Sequence, residues 1–246
     1  MNELKLSLIL AVGMVQISFA QFTDYSGAKN YRTQFGNTQQ LFTNISDVSD
    51  EGRLFEGKTY LNEDWETYLA VFTFESETVR LPEARFDGLY RELTFIYEGE
   101  ERTLSQEYVK AFYVKGEDGA PDTYYINPSK YGVSNSSFLS MCEVLVSGEV
   151  FLLRERHLKI RDASGKYDPS TGSTELTPQL TDEFRYYLVK ANELYPVQPR
   201  NRFSKILQTI GGDSFDVKAY AKQYRLKLNK VDNWPQLVEA YNNRDK

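Results

Sequence analysis

The sequence predicts an α+β protein: a mainly antiparallel β-sheet, arranged as a sandwich or an open barrel, followed by a C-terminal helical segment. Two observations predict this class. Between residues 57 and 160, short alternating and aromatic-rich runs recur with turn residues between them, enough for six to eight strands. After residue 200 the spacing of apolar side chains changes to that of helices.

The helical part contains three short predicted helices. Residues 203–210 carry apolar side chains at helical spacing and are followed by two glycines. Asp213 or Ser214 is the expected N-cap of the second helix. The third helix begins close to Pro235, which is compatible with a first turn.

The chain of 246 residues divides into four predicted segments. Residues 1–20 read as a signal peptide and residues 21–50 as a polar lead-in segment. Residues 51–190 form the β-rich domain, and residues 191–246 form the helical segment packed on the same domain.

Export is predicted from the first segment. Lys5 precedes an apolar run at residues 6–17, and Ser18 and Ala20 are small residues at the expected cleavage point before Gln21. The apolar run is short for a membrane anchor, which needs about 20 residues. The chain has one cysteine and therefore no internal disulfide, which favours a bacterial periplasm, outer-membrane association or the cell exterior.

Charge and hydropathy exclude two classes of function. The net charge is −6 and no basic stripe is present, which argues against nucleic-acid binding. No segment after the leader is apolar enough to span a bilayer, so the cleaved chain is not expected to be transmembrane. The oligomeric state is left open.

The single cysteine and the single histidine fall in one predicted hairpin. A two-residue turn at residues 147–148 would place Cys142 opposite Leu153, and His157 opposite Phe138. The two residues would then lie roughly 13 Å apart along the ladder. Proton transfer needs about 2.6–3.2 Å, so no catalytic dyad is predicted. Cys142 is expected to be a buried structural residue and His157 to be partly exposed.

No metal or cofactor is predicted. Zinc needs several cysteine or histidine ligands at short spacing, and this chain has one of each. Acidic loops at residues 116–122 and 161–172 offer oxygen ligands, but neither has EF-hand spacing. Calcium at these loops is kept as an alternative.

One aromatic and acidic cluster is the candidate binding site: Glu63, Asp64, Trp65 and Glu66. The indole of Trp65 would stack on a sugar ring between the carboxylates. The alternative interpretation is a turn at residues 62–64, with Trp65 as the first core residue of the next strand. No catalytic residue is assigned.

Four stretches of the chain carry a resemblance: FEGKTYLNEDWETY, YVKAFYV, FLSMCEVLVSGEVFLLRERHLKI and QLVEAYN. Together they resemble an uncharacterised group of exported proteins from Bacteroidota-type bacteria. The resemblance covers roughly residues 57–242 and implies secretion and a β-rich body with a helical tail, but no reaction.

The predicted function is therefore that of an exported, non-enzymatic, envelope-associated protein that binds a protein or glycan partner or supports surface assembly. The alternative is a secreted hydrolase that cuts polysaccharide with paired carboxylates.

Overall fold

The computed structural model describes residues 29–30, 43–44, 58–74, 78–116, 122–161, 166–168, 170, 172–175, 179–198, 202–212 and 215–244. The predicted signal peptide and most of the predicted lead-in segment lie outside these residues. No helix within the described ranges is long and apolar enough to cross a bilayer.

One antiparallel sheet forms the body of the protein. Its ten main strands are β3 (Glu66–Phe72), β4 (Thr78–Asp87), β5 (Glu92–Tyr97), β6 (Glu100–Ser105), β7 (Val109–Val114), β8 (Thr123–Ile126), β9 (Cys142–Val146), β10 (Val150–Arg161), β13 (Gln179–Lys190) and β14 (Glu193–Val197). The two-residue strands β1 (Lys29–Asn30) and β2 (Thr43–Asn44) pair with β4 and β6. A separate hairpin joins β11 (Lys166–Asp168) to β12 (Ser173–Glu175).

The order of neighbouring strands is β14-β13-β10-β9-β8-β7-β3-β4-β5-β6-β2. Strands β3 to β6 form consecutive hairpins, and β7 then returns to the free edge of β3. With the C-terminal helices described below, this confirms the predicted α+β class. Strand β14 lies within the segment for which helices were predicted, ahead of the first helix.

A cross-strand row shows how the two halves of the sheet join. Directly paired residues of neighbouring antiparallel strands have side chains on one face. Phe112 stacks on Tyr125 with ring centroids 4.9 Å apart, and Arg154 pairs with Glu143 at 2.5 Å. The full row is Ala70, Phe112, Tyr125, Glu143, Arg154 and Tyr186. It runs from the apolar core of β3–β7 through an ion pair to the surface that the helices cover.

Three helices cover one face of β9, β10, β13 and β14. They are α1 (Arg202–Gly211), α2 (Val217–Gln223) and α3 (Trp234–Asn242). Trp234 is fully buried, its ring lies 4.4 Å from that of Phe203, and its indole N–H donates to the Leu228 carbonyl at 2.9 Å. Trp234 also meets the edge of Tyr186 at 5.4 Å, which fixes the helices on β13.

The helix predictions are confirmed for α1 and α3, including Pro235 in the first turn of α3. Helix α2 begins later than predicted. Asp216 is its N-cap, and its carboxylate accepts the N–H groups of Lys218 at 2.9 Å and Ala219 at 3.0 Å. The expected caps, Asp213 and Ser214, lie outside the described residues.

The predicted register of the β9–β10 hairpin is wrong by three residues next to the turn and by two residues after the bulge. Val146 pairs with Leu152, and after a bulge Cys142 pairs with Glu155 rather than with Leu153. The cause is a long-range contact. The side-chain amide of Asn242 accepts from the Val150 N–H and donates to the Val150 carbonyl, both at 2.9 Å, and so takes the place of a strand partner.

Gly148 is the residue of this turn that leaves room for Asn242. A Cβ at Gly148 would lie 2.4 Å from Asn242 Nδ2 and 2.6 Å from its Cγ. Gly148→Ala should therefore displace the amide and lower the free energy of unfolding by about 2 kcal/mol. Urea denaturation measures this. In an Asn242→Ala background the same substitution should cost less, because the amide is gone and only the backbone strain at φ 156° and a 3.2 Å contact with the Cβ of residue 242 remain. Full additivity would contradict the contact with the amide.

Candidate functional site

A cleft of about 370 Å³ opens where four connecting segments meet. This volume lies within the range of about 300–1,000 Å³ that small-molecule sites occupy. The segments are the β4–β5 turn, the end of β6, the turn after β8 and the following loop. The lining residues are Tyr90, Arg91, Ser105, Gln106, Glu107, Asn127, Ser129, Lys130 and Ser137.

The β4–β5 turn presents Tyr90 and Arg91 at the rim. Asp87 is buried and shapes this turn, because its carboxylate accepts the N–H groups of Leu89 at 2.8 Å and Tyr90 at 2.9 Å. Tyr90 is 56% exposed. Arg91 adopts φ 58°, in the left-handed region, and its carbonyl accepts the Gln106 N–H at 2.8 Å.

Gln106 and Asn127 form the buried floor. The Gln106 amide donates to the Leu139 carbonyl at 2.8 Å. The Asn127 amide donates to the carbonyls of Gln106 at 3.1 Å and Val109 at 3.3 Å. These bonds tie three segments together, so the floor is preorganised before any ligand arrives.

The second wall is the 3-10 turn Pro128–Tyr131. Pro128 occupies its first position and Gly132 ends it at φ 72°, a conformation that suits glycine. Ser129 donates its hydroxyl to the Asn127 side-chain oxygen at 2.7 Å, while Lys130 is exposed at the rim. The cleft lining thus carries two cations, Arg91 and Lys130, against a single carboxylate, Glu107.

Two carboxylates are neighbours at the base of the β4–β5 turn. Asp87 and Glu92 are directly paired across the strands. Partial burial, and then the charge of Asp87, raise the pKa of the Glu92 carboxyl. A carboxyl with a raised pKa beside another carboxylate has the chemistry of a glycosidase acid, although neither residue lines the cleft.

A buried carboxylate lies behind the floor of the cleft. Glu155 is 1% exposed, and it accepts the Ser140 N–H and the Tyr187 hydroxyl, each at 2.9 Å. Cys142, its partner across the strands, is fully buried, which confirms the prediction for this residue. Burial, and then the charge of Glu155, raise the pKa of the Cys142 thiol, which therefore stays protonated and weakly nucleophilic.

His157 is half-buried, as predicted. It lies two positions beyond Glu155, so it is closer to Cys142 along the ladder than the predicted register implied: about 7 Å rather than 13 Å. The Cys142 thiol donates to the Ser140 carbonyl at 3.5 Å. The interpretation of Cys142 as a structural residue therefore stands on its burial and hydrogen bond, not on the separation.

His157 should titrate below its ordinary pKa of 6.5. Desolvation lowers the pKa first, then the charge of Arg185, while Glu155 and Glu183 raise it and Arg91 lowers it. Since the folded state disfavours the charged imidazole, this group makes stability fall as pH decreases through 6.5 and the lower folded pKa. Proton NMR of the single histidine measures the midpoint. Arg185→Gln should raise it, and an unchanged midpoint would contradict this placement.

The predicted cluster at Glu63–Glu66 does not reach this cleft. Glu63 and Asp64 are exposed, in a run of bends before β3. Trp65 is half-buried and packs against the Arg85 guanidinium, whose carbon lies 4.2 Å from the indole ring and 4.0 Å from the ring of Tyr60. Glu66 accepts the Asn62 amide at 2.5 Å. One face of the predicted stacking surface is therefore occupied by Arg85.

The two acidic loops considered for calcium lie largely outside the described residues. Asp122, at the end of the first, accepts the Tyr113 hydroxyl and the Gly116 N–H, the latter at 2.8 Å. Within the described ranges, no group of three or more histidine, cysteine, aspartate or glutamate side chains is placed to hold a metal ion.

The cleft residues escaped sequence reasoning because they are ordinary polar loop residues, spread between positions 90 and 137. One local signal was present. A turn-forming Asp-Gly pair at residues 87–88 is closely followed by a tyrosine and an arginine.

In comparisons with known proteins, no family model, no curated protein and no solved structure matches the chain.

Proposed function

We propose that this chain is an exported, non-enzymatic protein of the cell envelope that binds a glycan through the cleft between the β4–β5 turn and the turn after β8. The observation that carries the proposal is the lining: three serine hydroxyls, a tyrosine, two cations and one carboxylate around a small open volume. They stand on a floor of two amides whose donors are already hydrogen-bonded within the protein. Such a lining offers hydrogen-bond donors, acceptors and charges to a polar ligand. It lacks the facing pair of carboxylates that glycoside hydrolysis uses.

The size of the cleft favours a glycan chain end over a protein surface. Stable protein interfaces involve about 20–30 residues on each partner, whereas nine residues line this cleft. Serine hydroxyls donate and accept hydrogen bonds, as sugar hydroxyls do. Export is supported by the leader at residues 1–20.

Binding without turnover is the expected behaviour. The full-length protein is titrated calorimetrically with reducing-end-labelled oligosaccharides, which are then analysed by chromatography. The ligand that binds should be recovered uncut. Ser137→Trp, which fills the cleft from an exposed lining position, should abolish binding. Ser134→Trp, on the same loop but outside the lining, is the matched control and should bind normally.

The hydrolase is the second candidate, because Asp87 and Glu92 are adjacent and the pKa of Glu92 is raised. It requires shortened products whose formation stops in Glu92→Gln. Such products would contradict the non-enzymatic proposal. Export is tested separately by mass spectrometry of the native protein: Gln21 at the N-terminus supports it, and Met1 contradicts it.

A further inference from the structure

We infer that the ligand of the cleft is the carboxylate-bearing end of an acidic glycan, with Arg91 and Lys130 on the carboxylate and Tyr90 against the sugar ring. This inference rests on the proposed glycan-binding function and names the class of glycan.

The charges of the cleft lining indicate an anionic ligand. The protein as a whole has a net charge of −6, yet the cleft presents two cations and one carboxylate. Arginine binds carboxylates through two parallel N–H donors, and lysine adds a compact second charge. A neutral sugar would leave these cations without a matching group on the ligand.

The ring of Tyr90 and the serine hydroxyls indicate that the anionic ligand is a sugar. Tyr90 is 56% exposed directly beside Arg91, so its ring is accessible to a ligand that Arg91 holds. An aromatic face packs on the C–H face of a sugar ring. The Ser137 hydroxyl can donate to and accept from sugar hydroxyls, and the Ser129 oxygen, whose hydrogen is donated to Asn127, can still accept. A peptide made of glutamate alone offers the carboxylate, but it has no sugar ring for Tyr90 and no hydroxyl groups for the serines.

The backbone conformation of Arg91 makes asparagine a suitable replacement at this position. A φ of 58° suits glycine or asparagine and is strained for arginine. Asparagine at this position would keep the turn and remove the cation. We therefore expect Arg91→Asn to retain or raise the unfolding temperature while it weakens binding, which separates a ligand role from a folding role.

The test uses tetrasaccharides of galacturonate, mannuronate and glucuronate, each beside its methyl ester, which is the same sugar without the charge. At least one acid should bind, and its ester should bind about tenfold more weakly or worse, the loss expected for a charged hydrogen bond. Arg91→Asn and Lys130→Gln should each lower the affinity for the acid by a similar factor. Lys205→Gln, which removes an exposed cation from α1, should change nothing.

His157 supplies a second readout, because Arg91 is the weakest of the charges that act on its pKa. A bound carboxylate offsets that charge, so the acid should raise the His157 midpoint slightly in NMR, and the ester should leave it unchanged.

The results that would overturn the inference are distinct from those that would overturn the proposed function. Equal affinity for acid and ester, with sensitivity to Ser137→Trp, rejects the acidic class but keeps glycan binding. Binding followed by cleavage keeps the acidic class and rejects the non-enzymatic function. Tetraglutamate binding as tightly as the best acid, and with the same Arg91 dependence, identifies a peptide site instead. Binding of none of these sugars rejects both.

Discussion

Trp234→Ala should lower the free energy of unfolding by about 3–5 kcal/mol, the range for truncating a buried aromatic residue. Trp234 is fully buried between α1 and β13, where it stacks on Phe203 at 4.4 Å and meets Tyr186 edge-on at 5.4 Å. Its removal opens a cavity and leaves the Leu228 carbonyl without the indole donor. The helical layer should therefore loosen from the sheet.

Urea denaturation followed by far-ultraviolet circular dichroism measures this loss. Trp234→Phe should lose less, about 1–2 kcal/mol, because it keeps the ring stack and loses the hydrogen bond. Phe138→Ala is the surface control: Phe138 is 54% exposed, so the change should stay within about 0.5 kcal/mol. A Trp234→Ala protein as stable as the control would mean that the helices do not pack on the sheet as described.

Glu155→Leu should lower the free energy of unfolding by about 3 kcal/mol. The substitution removes the acceptor of two buried donors, the Ser140 N–H and the Tyr187 hydroxyl, and each unsatisfied donor costs about 1–3 kcal/mol. The carboxylate is 1% exposed, so water cannot easily replace it. Since Ser140 follows Leu139, whose carbonyl holds the Gln106 amide, the cleft floor should also lose order.

Glu155→Gln is the matched comparison, because an amide of the same shape can accept from Ser140 and donate to the Tyr187 oxygen. The Glu155→Gln substitution should lower the free energy of unfolding by only about 1 kcal/mol. Thermal unfolding of the three proteins gives the ranking. If Glu155→Leu equals or exceeds the wild type in stability, the buried carboxylate does not satisfy these donors.

Much of the architecture could be predicted from the sequence because it depends on local patterns. Helical apolar spacing identified α1, and the tolerance of a first turn for proline placed α3. The local pattern does not delimit strand β4, since Pro82 and Glu83 interrupt its alternation. The structure accommodates them in a bulge, where Thr67 donates its hydroxyl to the Pro82 carbonyl at 3.1 Å.

What could not be predicted depends on contacts between distant residues. The β9–β10 register follows from Asn242, more than 90 positions after the turn that it rearranges. Trp65 was a candidate for stacking on a sugar, because the residues next to it in the sequence do not show that Arg85 covers its ring. The cleft likewise exists only after four separate loops come together.

Amide hydrogen exchange of the full chain, with and without the best-binding acidic tetrasaccharide, tests the central claim most directly. The account predicts slower exchange in the β4–β5 turn, at Gln106–Tyr108 and across residues 127–138, with no change at residues 62–66. Protection at residues 62–66 without protection of the β4–β5 turn would return the site to the Trp65 cluster and contradict the cleft.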